Sequence, residues 1–456
     1  MSRYTGVTDR DLREMLDVIG VDSVDDLFAE IPNGVRLQRE LDLPGGRSEQ
    51  DVFEDLAALA ARNRHCDEEI SFLGAGMYDH YVPALIDTLL QRSEFLTPYT
   101  PYQPEVSQGG LQVMFEFQTA ISELTGLPVS NASVYEGPSA VAAAGYLAKL
   151  ETRRSRLVAS RGLHPHSRGA LRTHAAGYGM EVVEVPLTAE GATDAAALAA
   201  AVDDDTAAVF VQQPNFLGTV EDLGELTEAG KRTGALAVCA ADPLPLGIIK
   251  PPGELGADIC VGEGQTLGNR LDFGGPSFGF FSAGERYLRK LPGRIAGETR
   301  DADGKRGFVL TLQTREQHIR REKATHNICT SQALNALAGV VYLSWLGRRG
   351  LVELAELMLR RTHYAREALG LEPINPGAVV REFAVRVPDL DALFERARAE
   401  GINPGYRLGR DYPEYEDGLL VAVTERRTRA HIDRLAAVTA SVRQAHYGVT
   451  PAGHPS

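Results

Sequence analysis

A chain of 456 residues is longer than one hydrophobic core usually serves, and roughly two or three units of ~150 residues are expected. Its 43% hydrophobic and 24% charged residues are those of a globular protein and exclude extended disorder. The formal charge of −15, from 47 Lys plus Arg against 62 Asp plus Glu, argues against a nucleic-acid surface, which needs clustered cations.

The opening MSRYTGVTDRDLREML lacks the apolar centre of a signal peptide, and no later stretch reaches the ~20 uncharged apolar residues of a membrane helix. A soluble cytoplasmic protein is expected. Cys66, Cys239, Cys260 and Cys329 form no CxxC pair, so neither a zinc site nor a disulfide framework is suggested; Cys239 and Cys260 lie in apolar strand-like runs and read as buried packing.

Helical periodicity in DRDLREMLDVIG, SVDDLFAEI and SEQDVFEDLAALAARN predicts an N-terminal helical arm over 1–70. A strong amphipathic helix, LQVMFEFQTAISELTG, should end at Gly126, a natural C-terminal cap. The chain then alternates helix PSAVAAAGYLAKLE, strand RLVAS, helix SRGALRTHAAGYG, strand MEVVEVPL, helix DAAALAAAV, strand AAVFVQQP, helix LGELTEAGKRTG and strands ALAVCAA and DICVGEG. Strands separated by such helices imply right-handed crossovers and a doubly wound, mainly parallel sheet, here a large α/β domain over 71–330. The charged stretch REQHIRREK reads as helix. One long helix from TSQALNALAG to YAREALG then leads into a smaller C-terminal α/β domain, REFAVRVP, DLDALFERARAEG, GLLVAVTE and RAHIDRLAAVTASVRQAHYG, together spanning 331–456.

In such a sheet the ligand crevice lies beyond the carboxyl ends of the strands, where the loops QQPNF, AADPLP and GEGQT fall. No GxGxxG follows the first strand and no Walker loop is present; GAGMYDH at 74–80 follows only the brief ISFL. His164 and His166 lack the carboxylate or Cys spacing of a metal set and read as a solvated helix start. Asp242, ending a strand, can either face the crevice and pair with a cationic ring nitrogen or form a turn before Pro243. The helix opened by VYEGPSA offers N–H groups at Gly137 and Ser139 to an anion, but Glu136 at the same end would itself fill that position. The run FLTPYTPYQPEVSQGG, 95–110, reads as a rigid loop presenting phenols and the Gln103 and Glu105 side chains, or as a structural connection wrapping an interface.

With FLGAGMYDHYVPALI, YTPYQPEVSQG, ADPLPLGIIKPPGELGADICVGEGQTLGNRLDFGGPSFGFF and TREQHIRREKATHNICTSQAL on the page, the sequence resembles, over essentially its whole length, the alpha-subunit (subunit 1, N-terminal half) branch of the split glycine decarboxylases, the P-protein family of the glycine cleavage system. The resemblance implies the fold of the fold type I pyridoxal-phosphate enzymes. In the family the beta subunit carries the cofactor on a lysine in a His-Lys-Thr-Phe loop after a strand, and here Gly264-Gln265-Thr266-Leu267 takes that place. Gln265 stands where the lysine should be, and an amide cannot form an imine. The chain's lysines are Lys149, Lys231, Lys250, Lys290, Lys305 and Lys323, and of these only Lys250, after an apolar run and before two prolines, rivals that position.

The resemblance further implies a heteromer with the beta subunit, an alpha2beta2 assembly, in which pyridoxal 5'-phosphate on the partner serves glycine decarboxylation and the aminomethyl group passes to the lipoyl arm of the H-protein. This chain would complete the dimer and wall the active site with Tyr99, Thr100, Pro101, Tyr102, Gln103, Pro104 and Glu105, with Tyr78 and His80 as further candidates. Asp242, Gly137 and Ser139 would be vestiges of cofactor contacts. Two alternatives stand beside this: a self-sufficient pyridoxal-phosphate decarboxylase or transaminase using Lys250, and a purely structural subunit.

Overall fold

The computed structural model describes residues 6–447. The chain divides into two units, one ending at Arg64 and the other beginning at His65. In the first, helix Asp9–Ile19 opens on a reciprocal cap between Thr8 and Asp11 and closes on Gly20 at φ 83°, while helix Glu49–Ala60 opens on Ser48. This unit exposes many large apolar side chains, Phe53 and Val35 among them.

In the second unit seven strands form one sheet: β1 Val129–Ser130, β2 Arg156–Ser160, β3 Glu181–Val185, β4 Thr206–Gln213, β5 Leu236–Ala241, β6 Ile259–Glu263 and β7 Gly279–Ala283, in the order β1-β7-β6-β5-β4-β2-β3. The pairs from β6 through β5, β4 and β2 to β3 are parallel; β7 and β1 close the edge antiparallel. β5 is buried at every residue, as a parallel strand covered on both faces must be. Alternate residues feed two cores: Val209, Val211, Cys239 and Cys260 join one, and Ala208, Phe210, Val238 and Ile259 the other. Cys239 and Cys260 are free thiols in register across β5 and β6, and burial holds the Cys260 thiol well above its ordinary range.

A four-stranded antiparallel sheet, Glu372–Pro373, Glu382–Arg386, Gly418–Ala422 and Tyr406–Arg407, packs with helices Leu390–Ala399 and Arg429–Tyr447 around a third core that includes Phe383, Leu393, Leu419, Val421 and Ile432. Ile70 and Ser71 pair with Ile402 and Asn403, so the chain enters this unit beside its C-terminal part. Gly218, in the loop after β4, has φ 91°, and a Cβ there would lie 2.0 Å from the Glu382 carbonyl oxygen. That approach brings the strand bearing Glu382 against the carboxyl end of the large sheet.

Two local expectations are corrected, and one hairpin lies where no element was expected. The helix Ala333–Leu369 is interrupted at Gly347, whose φ of 58° and ψ of −178° cost little without a Cβ. REQHIRREK forms only the turn Gln317–Arg320 and a 3-10 turn Arg321–Lys323, because Arg321 at φ 52° breaks the helix. A hairpin, Ile295–Arg300 with Arg306–Thr311, occupies a stretch whose polar run TRDADGKRG hides the pairing. No helix among the described residues is long and apolar enough to cross a membrane.

Candidate functional site

The carboxyl ends of the strands enclose a recess of about 510 Å³. Its wall includes Gln212 from β4, Asp242 after β5, Glu263 from β6, His164 after β2, Gly137 at the start of helix Gly137–Thr152, and Arg381 beside the small sheet. None of the six lysines lines it, and Lys250 is exposed elsewhere.

The loop after β6 is held by an amide. The Gln265 side chain is buried; its Oε1 accepts the Tyr78 N–H at 2.9 Å, and its Nε2 donates to the carbonyls of Tyr78 at 3.0 Å and Asn269 at 2.9 Å. Three of the four hydrogen bonds open to a primary amide are thereby made, and the GAGMYDH loop is tied to the GEGQT loop.

The helix N-terminus beside it is filled by carboxylates. Glu263 Oε2 accepts the Gly137 N–H at 2.9 Å, and Glu136 Oε1 accepts the Ser139 N–H at 3.0 Å. Burial pushes the Glu263 carboxyl above the ordinary range, against the opposing pull of the Gly137 N–H, Ser277 and the Gln265 N–H. Asp242 is paired with the buried guanidinium of Arg381. Arg381 also lies over the Tyr78 ring, 3.4 Å from its centroid, and donates to His80 Nε2 at 2.6 Å.

His80 is buried and passes this contact on to Glu425 through Nδ1 at 2.6 Å. Tyr78 donates its O–H to Glu382 Oε2 at 2.6 Å, and the Ala75 N–H binds the other oxygen at 2.8 Å. Burial raises Glu382 to about 7 and Tyr78 well above its usual range. Contrary to the expected solvated helix start, His164 is inside the recess: its Nδ1 accepts the His166 N–H, its Nε2 donates to the Ala75 carbonyl at 2.9 Å, and burial lowers it to about 4. His166 is exposed. No cluster of three metal-ligating side chains exists among the described residues.

The loop 99–105 does not line this recess. Tyr99, Gln103 and Glu105 are exposed, Pro101 is buried, and Thr100 is half-buried with its Oγ1 lacking a hydrogen-bond partner. Tyr102 lines a second, more open recess of about 410 Å³ with Arg294, Glu316, His318 and Arg321.

Arg381, Glu263, Glu382 and Arg294 escaped the sequence reading. Arg381 precedes an ordinary alternating strand, and only the closure of the small sheet on the large one brings it to Asp242. Glu263 lies two residues before Gln265, and a carboxylate at a strand end facing a helix N-terminus was the available signal.

The family model for the glycine cleavage system P-protein matches residues 2–439. This chain belongs to the P-protein family. It is 48% identical over 447 residues to a Brevibacillus brevis protein named "Probable glycine dehydrogenase (decarboxylating) subunit 1", covering 97% of this chain and 99% of the relative. A Carboxydothermus hydrogenoformans protein of the same name is 50% identical over 439 residues, covering 96% and 99%. Among solved structures, a glycine decarboxylase (P-protein) of the glycine cleavage system in inhibitor-bound form superposes with a TM-score of 0.87 at 42% identity, over 97% of this chain and all of that one. A Lactobacillus brevis glutamate decarboxylase, 15% identical with a TM-score of 0.67 over 92% of this P-protein chain and 97% of its own, shares the fold. That fold is the fold type I architecture of pyridoxal-phosphate enzymes, as the resemblance implied.

Proposed function

We propose that this chain is subunit 1, the alpha subunit, of glycine decarboxylase in the glycine cleavage system, and that it works with a beta subunit that alone holds pyridoxal phosphate. The state of the crevice supports this division. A fold type I cofactor needs a lysine, a free helix N-terminus for its phosphate and a carboxylate for its ring nitrogen. Here the lysine is replaced by Gln265, the Gly137 and Ser139 N–H groups are bonded to Glu263 and Glu136, and Asp242 is neutralised by Arg381. A phosphate would meet two carboxylates, and a pyridinium would have to displace a guanidinium. The residues of this crevice do not fit the cofactor.

In an alpha2beta2 assembly, with the lipoyl arm of H-protein accepting the aminomethyl group, this chain's part is to complete the dimer and to wall the partner's site. The loop 99–105, stiffened by Pro101 and Pro104, suits that role by orienting glycine and excluding water, effects worth several kcal/mol in favourable cases. Reconstitution tests the proposal: release of carbon dioxide from glycine should need both chains, and decarboxylation by this chain with added pyridoxal phosphate alone would overturn it.

A further inference from the structure

The second recess is built around a buried charge that lacks a full set of partners. The Arg294 side chain is 2% exposed, yet its Nε has no hydrogen-bond acceptor; the nearest carboxylate oxygen, on Glu316, is 3.9 Å away. Buried guanidinium groups ordinarily have their donors satisfied, because each unmet one costs the loss of its hydration.

Charge points the same way. Arg315, also buried, spends its guanidinium on the carbonyls of Leu291, Gly293 and Leu312, so that Arg294 and Arg315 face Glu316 as their one buried carboxylate. In the recess wall Arg294 and Arg321 balance Glu316 and Glu322, and Arg315, buried behind that wall, leaves one positive charge over. Burial, aided by Arg315 and Arg294, lowers the neighbouring His326 to about 4, so it adds none. At the mouth, His318 stands edge-on to Tyr102, with ring centroids 5.5 Å apart, and Arg321 supplies a further cation against the exposed Glu322. The Tyr102 hydroxyl accepts from Arg294 Nη2 at 3.2 Å, which leaves its own proton to donate.

A single surplus positive charge matches a monoanion; a phosphate dianion would be repelled by Glu316 and Glu322. We propose that this recess binds the carboxylate of a small amino acid through Arg294 and Tyr102, and, resting on the function proposed above, that the amino acid is glycine on its way to the partner's cofactor. Arg294 is then the substrate-binding residue that this chain lends to the shared site.

The test uses the assembled complex with sodium acetate as probe and inorganic phosphate as control. Acetate should compete with glycine and should bind by calorimetry, while phosphate at equal ionic strength should do neither. Arg294→Gln should raise KM for glycine at least tenfold, with kcat changed less than threefold, and weaken acetate by the same factor; Arg294→Lys, which keeps the charge, should fall between. Absence of acetate binding to the wild-type complex, binding of phosphate instead, or an unchanged KM in an assembled Arg294→Gln complex would overturn the proposal. Should Arg294→Gln fail to assemble, the wild-type titration and Arg294→Lys still decide. Acetate binding in a complex that releases no carbon dioxide from glycine would preserve the carboxylate site and remove the glycine decarboxylase reading.

Discussion

Replacing Gln265 by leucine removes a buried amide that clamps the Tyr78 loop to the loop after β6, at the place where the function proposed above puts the partner's cofactor lysine. The Gln265 side chain makes three buried hydrogen bonds, to the Tyr78 N–H, the Tyr78 carbonyl and the Asn269 carbonyl. Leucine keeps the approximate volume but leaves the Tyr78 N–H and the Asn269 carbonyl without partners, while the Tyr78 carbonyl keeps the His80 N–H at 3.0 Å. With each of the two orphaned groups costing about 1 to 3 kcal/mol, and relaxation recovering part of it, the loss should be about 2 to 4 kcal/mol. That is a large share of the stability of a typical domain, about 5 to 15 kcal/mol. Urea unfolding of the purified chain, with tyrosine fluorescence and circular dichroism followed together, reads the difference. A loss under about 1 kcal/mol would refute the clamp and leave Gln265 as an inert remnant.

Glu382 gives a pH dependence. Its folded value of about 7 lies above the unfolded 4.5, so the folded state holds the extra proton and stability falls as pH rises between those values. At about 1.4 kcal/mol per pH unit, the wild-type chain should lose about 3 kcal/mol relative to Glu382→Gln between pH 4.5 and pH 8; parallel stability profiles for the two would show that the carboxyl is ionised in the fold at neutral pH. For the loop 99–105, Tyr102→Phe or Glu105→Gln should lower turnover of the reconstituted complex at least severalfold without loosening subunit association, and wild-type turnover in both would take the loop out of the site.

The large sheet was legible because its signal is local. RLVAS, AAVFVQQP and ALAVCAA are apolar on both faces and are separated by helices, a pattern that few other folds accept. The antiparallel edge was harder: β1 is two residues long, and β7 pairs through a reversal that no two-residue turn announces. Gln265 could be singled out from one position in a motif. Its consequence could not, since the Tyr78 backbone is 187 residues away in sequence. Arg381 was likewise invisible: its partner Asp242 precedes it by 139 positions, and nothing in VVREFAVR marks one arginine as buried.

The division of labour between the two subunits is tested most directly by borohydride reduction with pyridoxal phosphate present, on this chain alone and on the assembled complex, followed by peptide mass spectrometry. The filled crevice predicts a pyridoxyl-lysine on the partner subunit and none on Lys149, Lys231, Lys250, Lys290, Lys305 or Lys323. A stoichiometric label on any of those six, Lys250 first among them, would contradict the account and make this chain a pyridoxal enzyme in its own right.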